Sequence, residues 1–201
     1  MIVERIPTEV YTSNMYSISF HGNEDVWLLD IGNAAPILRN LDQNQVVRGV
    51  FLTHAHYDHI QGINDLEQAF PECVFYCAAH TRDSLYSDKL NLSFYHEQPI
   101  IYAGTNIKIL VDEDEINLCE HTVIKVIATP GHNPGCLSYK LNNYLFTGDS
   151  WIPGIPVVTK LKGGNKSENV ASLKRLFQEI DTETIICPGH GEIVQLPETR
   201  I

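Results

Sequence analysis

The sequence predicts an α/β sandwich in which two β-sheets lie between helices. Short β-rich runs recur along the whole chain, and segments with helical character separate them. Hydrophobic residues make up 43% of the chain and charged residues 19%, which is typical of a globular protein. At 201 residues we expect one domain spanning residues 1–201.

The strands are predicted in order from apolar and β-branched runs. They fall at residues 16–20, 26–32 and 46–54, at the start of 73–86, twice within 106–118, at 122–132, twice within 135–149, and at 184–191. Residues 135–149 read as a hairpin that turns at Asn142-Asn143. A helix follows the strand in 73–86, and a second helix is predicted with Ser167 as its N-cap. The apolar face of that second helix is predicted to be Val170, Leu173, Phe177 and Ile180.

Composition also limits the partners and the location of the protein. The formal net charge of −11 argues against nucleic acid as a partner, since phosphate binding needs a basic face. No apolar run is long enough for a membrane span, and the first ten residues lack the features of a signal peptide. We therefore expect a cytoplasmic protein that acts on a small molecule, with five cysteines as reduced thiols.

A cluster of histidine and aspartate directly follows the apolar run that ends near residue 52. His54 and His56 are two positions apart in extended chain, so their side chains leave the same side of the backbone. Asp58 and His59 come next, where a helix begins and the chain changes direction. Imidazole and carboxylate are ligands that zinc accepts, so the cluster indicates a metal site.

Three later strand ends each place another donor in a turn that contains glycine. These are His132 in "TPGH", Asp149 in "TGDS" and His190 in "PGHG". Seven donors are too many for one tetrahedral ion and suit two ions that share Asp149. The alternative is a set of buried, hydrogen-bonded polar residues without metal.

In these motifs the sequence resembles the metallo-β-lactamase superfamily, and within it the short glyoxalase II-like (hydroxyacylglutathione hydrolase-like) hydrolases. The resemblance implies the αββα sandwich of the metallo-β-lactamase fold, with two mixed β-sheets flanked by helices. It also implies a first metal bound by His54, His56 and His132, and a second bound by Asp58, His59 and His190, with Asp149 bridging. Asp30 in "LLDIG" would orient a ligating histidine from behind, or would have a purely structural role.

The expected activity is that of a dinuclear metal-dependent hydrolase in which a metal-bound hydroxide attacks a small thioester or ester. Two divalent ions are expected, with zinc preferred over iron or manganese, and Asp58 and His59 are the candidate catalytic residues. Two alternatives within the same superfamily stay open: a mononuclear iron persulfide dioxygenase and a phosphodiesterase. Imidazole and carboxylate suit iron as well as zinc, so the ligand types do not separate these alternatives.

The sequence departs from the glyoxalase II pattern after Asp149 and after His190. Residues 150–166 read "SWIPGIPVVTKLKGGNK" where a glycine-arginine-aspartate segment is usual, and the helical glutathione-binding extension of the longer enzymes does not follow His190. Tyr57, Trp151 and Lys160 are the candidate substrate-binding residues. For Tyr57 and Trp151 the alternative is ordinary packing, and for Lys160 it is a solvated loop.

Overall fold

The computed structural model describes residues 1–195, which form two compact units. The first unit is Met1–Ile109, and the second is the described part of Leu110–Ile201. Each unit contains one six-stranded sheet with both parallel and antiparallel neighbours. The predicted fold class, with two mixed β-sheets and flanking helices, is confirmed. The assignment of residues 1–201 to a single domain stays a prediction.

The sheet of the first unit has its strands in sequence order, β1-β2-β3-β4-β5-β6. The strands are β1 (Ile2–Pro7), β2 (Asn14–Ser19), β3 (Asp25–Leu29), β4 (Val46–Phe51), β5 (Val74–Cys77) and β6 (Ile107–Ile109). The helices are α1 (Ala34–Asn40), α2 (Tyr57–Ile60), α3 (Ile63–Ala69) and α4 (Ala79–Leu85), with a short 3-10 helix at Ser93–Tyr95. β1 to β3 are antiparallel neighbours, whereas β3 to β6 run parallel.

Parallel pairing places the carboxyl ends of β3 and β4 at one edge of this sheet. Asp30 follows β3 directly, and the segment that contains His54 follows β4. The backbone N–H of Asp30 donates to the carbonyl of Phe51 at 3.0 Å, which fixes the two strand ends side by side. Loops at the carboxyl edge of parallel strands commonly carry ligand sites, and the His/Asp cluster lies on such loops.

The hydrophobic core of the first unit is formed by its central strands together with the inner sides of its helices. Leu28, Val50 and Phe75 come from neighbouring strands and are fully buried. Ile37 of α1 and Leu66 of α3 are buried in the same cluster. The loops that carry the His/Asp cluster are therefore anchored to a packed core, which keeps their positions fixed.

The sheet of the second unit has the order β12-β11-β10-β9-β8-β7. The strands are β7 (Glu115–Cys119), β8 (Thr122–Ala128), β9 (Leu137–Leu141), β10 (Tyr144–Gly148), β11 (Ile185–Pro188) and β12 (Val194–Gln195), and the helix is α5 (Lys166–Gln178). The predicted hairpin is β9–β10, and Asn142 has the positive φ of 53° that a tight turn requires. β10 and β11 run parallel, so Asp149 and His190 follow the carboxyl ends of neighbouring strands.

Helix α5 differs from the sequence prediction in its cap and in its buried face. The N-cap is Asn165, not Ser167, because the Asn165 side chain accepts from the backbone N–H groups of Ser167 and Glu168. The predicted apolar face was wrong for Val170 and Phe177, which are exposed, whereas Leu173 and Ile180 are half-buried and Ile180 packs on the small core cluster of this unit. The buried residues of the helix are Asn169, Ser172 and Leu176. The physical reason is hydrogen bonding. Asn169 donates to the carbonyl of Ser150 at 3.0 Å, and Ser172 donates to that of Pro130 at 2.6 Å.

Two further sequence expectations concern membranes and thiols. Within residues 1–195, no helix has the length and apolar character needed to cross a membrane. All five cysteines are free thiols, and all except Cys119 are buried. Burial raises the pKa of the thiols of Cys73, Cys77 and Cys187 to about 12, so these thiols are poor nucleophiles and poor metal ligands.

Candidate metal centre

In the first unit, four predicted ligands lie together on the segment between β4 and α3. The ring of His54 lies 4.5 Å from that of His56 and 4.3 Å from that of His59, measured between centroids. The Asp58 carboxylate lies 3.6 Å from Nε2 of His59. His54 and His59 are fully buried, and His56 is nearly so. Four donors in contact at the end of a core strand form what we call the ligand quartet.

Buried hydrogen bonds hold His59 and His54 in defined orientations. Nδ1 of His59 lies 2.8 Å from Oδ2 of Asp30, and a carboxylate can only accept, so this nitrogen carries the proton. The Thr53 hydroxyl donates to the same Oδ2 at 2.8 Å. Because the Thr53 hydroxyl proton is used in that bond, Thr53 Oγ1 can only accept from His54. Nδ1 of His54 is therefore the donor in the 3.0 Å contact between these two atoms. Nε2 then holds the lone pair of both neutral rings, and it is the atom that could bind a metal.

Backbone contacts hold the short helix that carries Asp58 and His59. Ser13 donates to the carbonyl of Asp58 at 2.7 Å, and the N–H of Ile31 donates to that of His59 at 2.9 Å. Gly32 lies directly against this helix, since a Cβ at position 32 would come within 2.3 Å of the Asp58 carbonyl oxygen. A side chain there would displace the helix, so glycine is required by close approach.

In the second unit, Asp149 lies between two histidines. Its Oδ2 is 3.5 Å from Nε2 of His132 and 3.5 Å from Nε2 of His190. Nδ1 of His132 donates to the carbonyl of Val158 at 2.7 Å, so Nε2 again holds the lone pair that faces the carboxylate. His132, Asp149 and His190 form what we call the ligand trio.

The turn before His132 depends on glycine. Gly131 has φ of 136°, and a Cβ there would come within 2.3 Å of the backbone nitrogen of Asn169 in α5. The carbonyl of Gly131 in turn accepts from the backbone N–H of Asn165 at 2.7 Å. The start of α5 therefore packs directly on the turn that positions His132.

Distances within each group fit a metal ion better than a network of direct hydrogen bonds. Zinc with ligands at about 2.1 Å in a tetrahedron separates neighbouring donor atoms by about 3.4 Å. The observed separations are 3.5 Å for each histidine of the trio and 3.6 Å for the Asp58–His59 pair. These values exceed an ordinary N–H···O bond, and the facing atoms are imidazole lone pairs and carboxylate oxygens. Both groups therefore have the chemistry and the spacing of metal ligands.

The three candidate substrate-binding residues lie in different surroundings. Tyr57 is half-buried, its hydroxyl accepts from Gln61 at 2.9 Å, and its ring stacks on that of His96. Trp151 packs on the small core cluster of the second unit and meets the Phe177 ring edge-on at 5.0 Å. Lys160 is exposed on the loop before α5. Their role in substrate binding stays a prediction.

The sequence analysis did not identify the roles of Thr53 and of the Val158 carbonyl in orienting the histidines. Thr53 directly precedes His54, so its position beside a ligand was a usable signal. Val158 gave none, because a backbone carbonyl acts here and the loop that brings it to His132 is set by tertiary structure.

Two mixed sheets with candidate histidine and aspartate ligands on their connecting loops are typical of a class of metal-binding α/β proteins. Residues 9–190 match the metallo-beta-lactamase superfamily, and the chain belongs to this family. This confirms the resemblance that the motifs predict.

Individual relatives agree with this membership. A hydroxyacylglutathione hydrolase from Citrobacter koseri is 30% identical over 188 residues, which is 88% of this chain and 65% of that protein. The chain thus spans just under two thirds of that relative's length. The B3 metallo-beta-lactamase BLEG-1 has a TM-score of 0.86 at 26% identity, with 96% of this chain and 93% of that one covered. TTHA1623, whose structure is of a di-iron-bound form, has a TM-score of 0.81 at 23% identity, with coverage of 98% and 97%, and shows the fold alone.

Proposed function

We propose that the protein is a dinuclear metal-dependent hydrolase and that the ligand quartet and the ligand trio together bind two divalent ions. His54, His56 and His132 would hold the first ion, Asp58, His59 and His190 would hold the second, and Asp149 would be shared by both. One observation carries the proposal: His54, His59 and His132 each have Nδ1 bound to an acceptor, which directs the lone pair of Nε2 toward other donors.

The ions would lower the pKa of water that they bind and would stabilise negative charge on a reacting carbonyl oxygen. The chain's own residues prepare the ligands for this task. Asp30 accepts the proton of His59 Nδ1 and the Thr53 hydroxyl, and Thr53 in turn accepts from His54, so one buried carboxylate orients two ligands. The carbonyl of Val158 does the same for His132.

The proposed reaction is hydrolysis of a small thioester or ester. Water adds across the bond between the acyl carbon and sulfur or oxygen, which gives a carboxylic acid and a thiol or alcohol. Membership of the superfamily and the name of the Citrobacter koseri relative support this reaction. We further propose a cytoplasmic location, a small-molecule substrate, zinc as the preferred ion, and substrate contacts from Tyr57, Trp151 and Lys160.

The first test is the number and identity of metals per chain, measured by elemental analysis of protein purified without added metal. We expect about two zinc ions per chain in the wild type. Asp149→Ala should lose most of the metal and the thioesterase activity together, because the bridging carboxylate is removed. Glu120→Ala is the matched control, since its side chain is 89% exposed and remote from both ligand groups in sequence.

An Asp149→Ala protein with full metal content and unchanged turnover would refute the dinuclear assignment. About one iron per chain in the wild type would refute the hydrolase and would point instead to oxygen-dependent persulfide chemistry, which an oxygen-consumption assay would then measure.

A further inference from the structure

Next to the ligand quartet, the first unit carries a group of aromatic side chains that the proposed chemistry does not use. We call it the aromatic ridge: Tyr11, Tyr57, Phe94, Tyr95 and His96. Tyr57 follows His56 and precedes Asp58, and its ring stacks on that of His96 with centroids 3.7 Å apart and planes 5° apart. The ring of Tyr11 meets His96 edge-on at 5.8 Å. Tyr57 therefore connects the ridge to the ligand quartet along the chain.

The outer members of the ridge are exposed to an unusual degree. The exposed fraction is 66% for Tyr11, 53% for Phe94 and 78% for Tyr95. Single exposed apolar residues are ordinary on a protein surface, but adjoining exposed aromatic rings usually mark a binding surface. Phe94 and Tyr95 are also neighbours in space, with ring centroids 5.6 Å apart.

The loop that presents Phe94, Tyr95 and His96 is closed at its base by buried hydrogen bonds. The Asn91 side chain donates to the carbonyl of Ile100 at 2.9 Å and accepts from the N–H of Ser93 at 2.9 Å. The Ser93 hydroxyl accepts from the N–H of Ile100 at 2.7 Å. Because the base of the loop is fixed, ordering the aromatic rings on ligand binding costs less conformational entropy.

The charged side chains on the segments that form the ridge are mostly negative. Segments 8–13 and 86–101 carry three carboxylates, of Glu9, Asp88 and Glu97, against the one ammonium of Lys89. That ammonium lies 5.7 Å from the centroid of the Phe94 ring. A surface of aromatic rings with excess negative charge on its own side chains suits a neutral apolar group.

We propose that the aromatic ridge binds the acyl group of the substrate, and that the preferred substrates are thioesters or esters of medium-chain aliphatic or aryl-substituted acids. This inference rests on the proposed hydrolase function and names its substrate class. Tyr95 and Phe94 contact the acyl group, and His96 is a positioning residue that holds the Tyr57 ring in place by stacking.

The test compares acetyl, hexanoyl and phenylacetyl thioesters of N-acetylcysteamine, whose thiol is neutral, with the zinc-loaded wild type. Full burial of one methylene corresponds to about a fourfold gain in kcat/KM. An open surface that buries about half of each methylene should therefore give about a twofold gain in kcat/KM per methylene. The four extra methylenes of the hexanoyl group should then raise kcat/KM about 15-fold over acetyl.

Variants then locate the selectivity. In the double variant Phe94→Ala/Tyr95→Ala, the hexanoyl-to-acetyl ratio of kcat/KM should fall to about 3, with the zinc content unchanged. Leu38→Ala removes an exposed apolar side chain from α1 and should leave the ratio unchanged. His96→Ala should lower the ratio as well, whereas His96→Phe keeps a planar ring against Tyr57 and should restore it.

A second readout separates failure of this inference from failure of the proposed hydrolase. Calorimetry would compare binding of hexanoate and acetate, which share the carboxylate and differ only in the apolar chain. Tighter binding of hexanoate, lost in Phe94→Ala/Tyr95→Ala, would support the ridge even if no thioester is hydrolysed. Thioester hydrolysis with equal ratios for all acyl groups, and equal binding of the two acids, would overturn it. If a second copy of the chain covers the ridge instead, that result should come with a change in the mass of the protein in solution on Tyr95→Ala.

Discussion

Asp30 has a backbone conformation that few non-glycine residues adopt, with φ of 57°. This conformation turns its buried side chain toward the segment after β4, where its Oδ1 accepts from the backbone N–H of Thr53 at 2.7 Å. Its Oδ2 accepts from the Thr53 hydroxyl and from His59. A single buried carboxylate, on a backbone position with positive φ, therefore orients two members of the ligand quartet, His59 directly and His54 through Thr53.

Asp30→Asn tests this role. Its amide N–H₂ can face Nδ1 of His59 and favour the tautomer with the proton on Nε2, which removes the lone pair needed for a metal. We expect zinc affinity to fall about 10- to 100-fold, with the fold kept. Competition with a chromophoric chelator measures the affinity. Asp25→Asn, which alters an exposed pair with Arg48, is the control, and equal affinities in the two variants would contradict the role of Asp30.

The buried thiols of Cys73, Cys77 and Cys187 give a second prediction at this scale. Desolvation raises the pKa of each to about 12, so at pH 8 only about one in 10⁴ is a thiolate. Iodoacetamide at pH 8 should leave all three unmodified in the native protein and should modify them after unfolding in urea, as peptide mass spectrometry would show. Rapid modification of any of the three in the folded protein would contradict their burial.

The same thiols make stability depend on pH at the alkaline end. In the unfolded chain they lose their protons near pH 9, whereas the folded protein holds them to about 12. Their contribution to the free energy of unfolding is therefore fully present below pH 9, and it is lost progressively as the pH rises from 9 towards 12.

At the scale of the element, the capping of helix α5 is linked to the position of a predicted metal ligand, His132. Asn165 caps the helix through its side chain, and its backbone N–H donates to the carbonyl of Gly131, next to His132. Buried Asn169 and Ser172 bind carbonyls of the loops that precede and follow the predicted ligands. Polar residues thus occupy the inner face of α5 because the loops offer acceptors there.

Asn165→Ala should destabilise the protein by about 1 kcal/mol, since the N–H groups of Ser167 and Glu168 lose their acceptor. Ser167→Ala should cost less, because the Ser167 hydroxyl only donates to the Asn165 side chain and accepts no backbone N–H of the helix start. Urea unfolding followed by circular dichroism compares the two. A larger loss from Ser167→Ala would restore Ser167 as the cap.

For the whole molecule, metal binding and folding should be linked. The quartet and the trio come from distant parts of the sequence, so an unfolded chain does not present them together. Free zinc at 1,000 times its Kd should raise the free energy of unfolding by about 4 kcal/mol for one site. The measurement is urea unfolding of chelator-treated protein with and without zinc. Asp149→Ala should show a much smaller increase, and an equal increase would mean that zinc acts elsewhere.

The sequence by itself determined the order of most strands, the two-sheet class and the identity of the candidate ligands. The hairpin at Asn142-Asn143 follows from local turn chemistry. The segment from His54 to His59 is recognisable because packing does not require four potential ligand residues, three histidines and an aspartate, beside a buried strand. These features depend on residues close together in the chain, where short-range physics decides the structure.

Only the tertiary structure decided which groups surround those ligands. The buried face of α5, the acceptor for His132 and the stacking of Tyr57 on His96 each depend on segments far apart in sequence. Helical periodicity placed Val170 and Phe177 inside because it counts hydrophobicity alone, whereas the fold supplied carbonyl acceptors for Asn169 and Ser172 instead. Hydrogen-bond partners depend on which groups lie close together in space, and a single sequence does not directly show which distant segments meet.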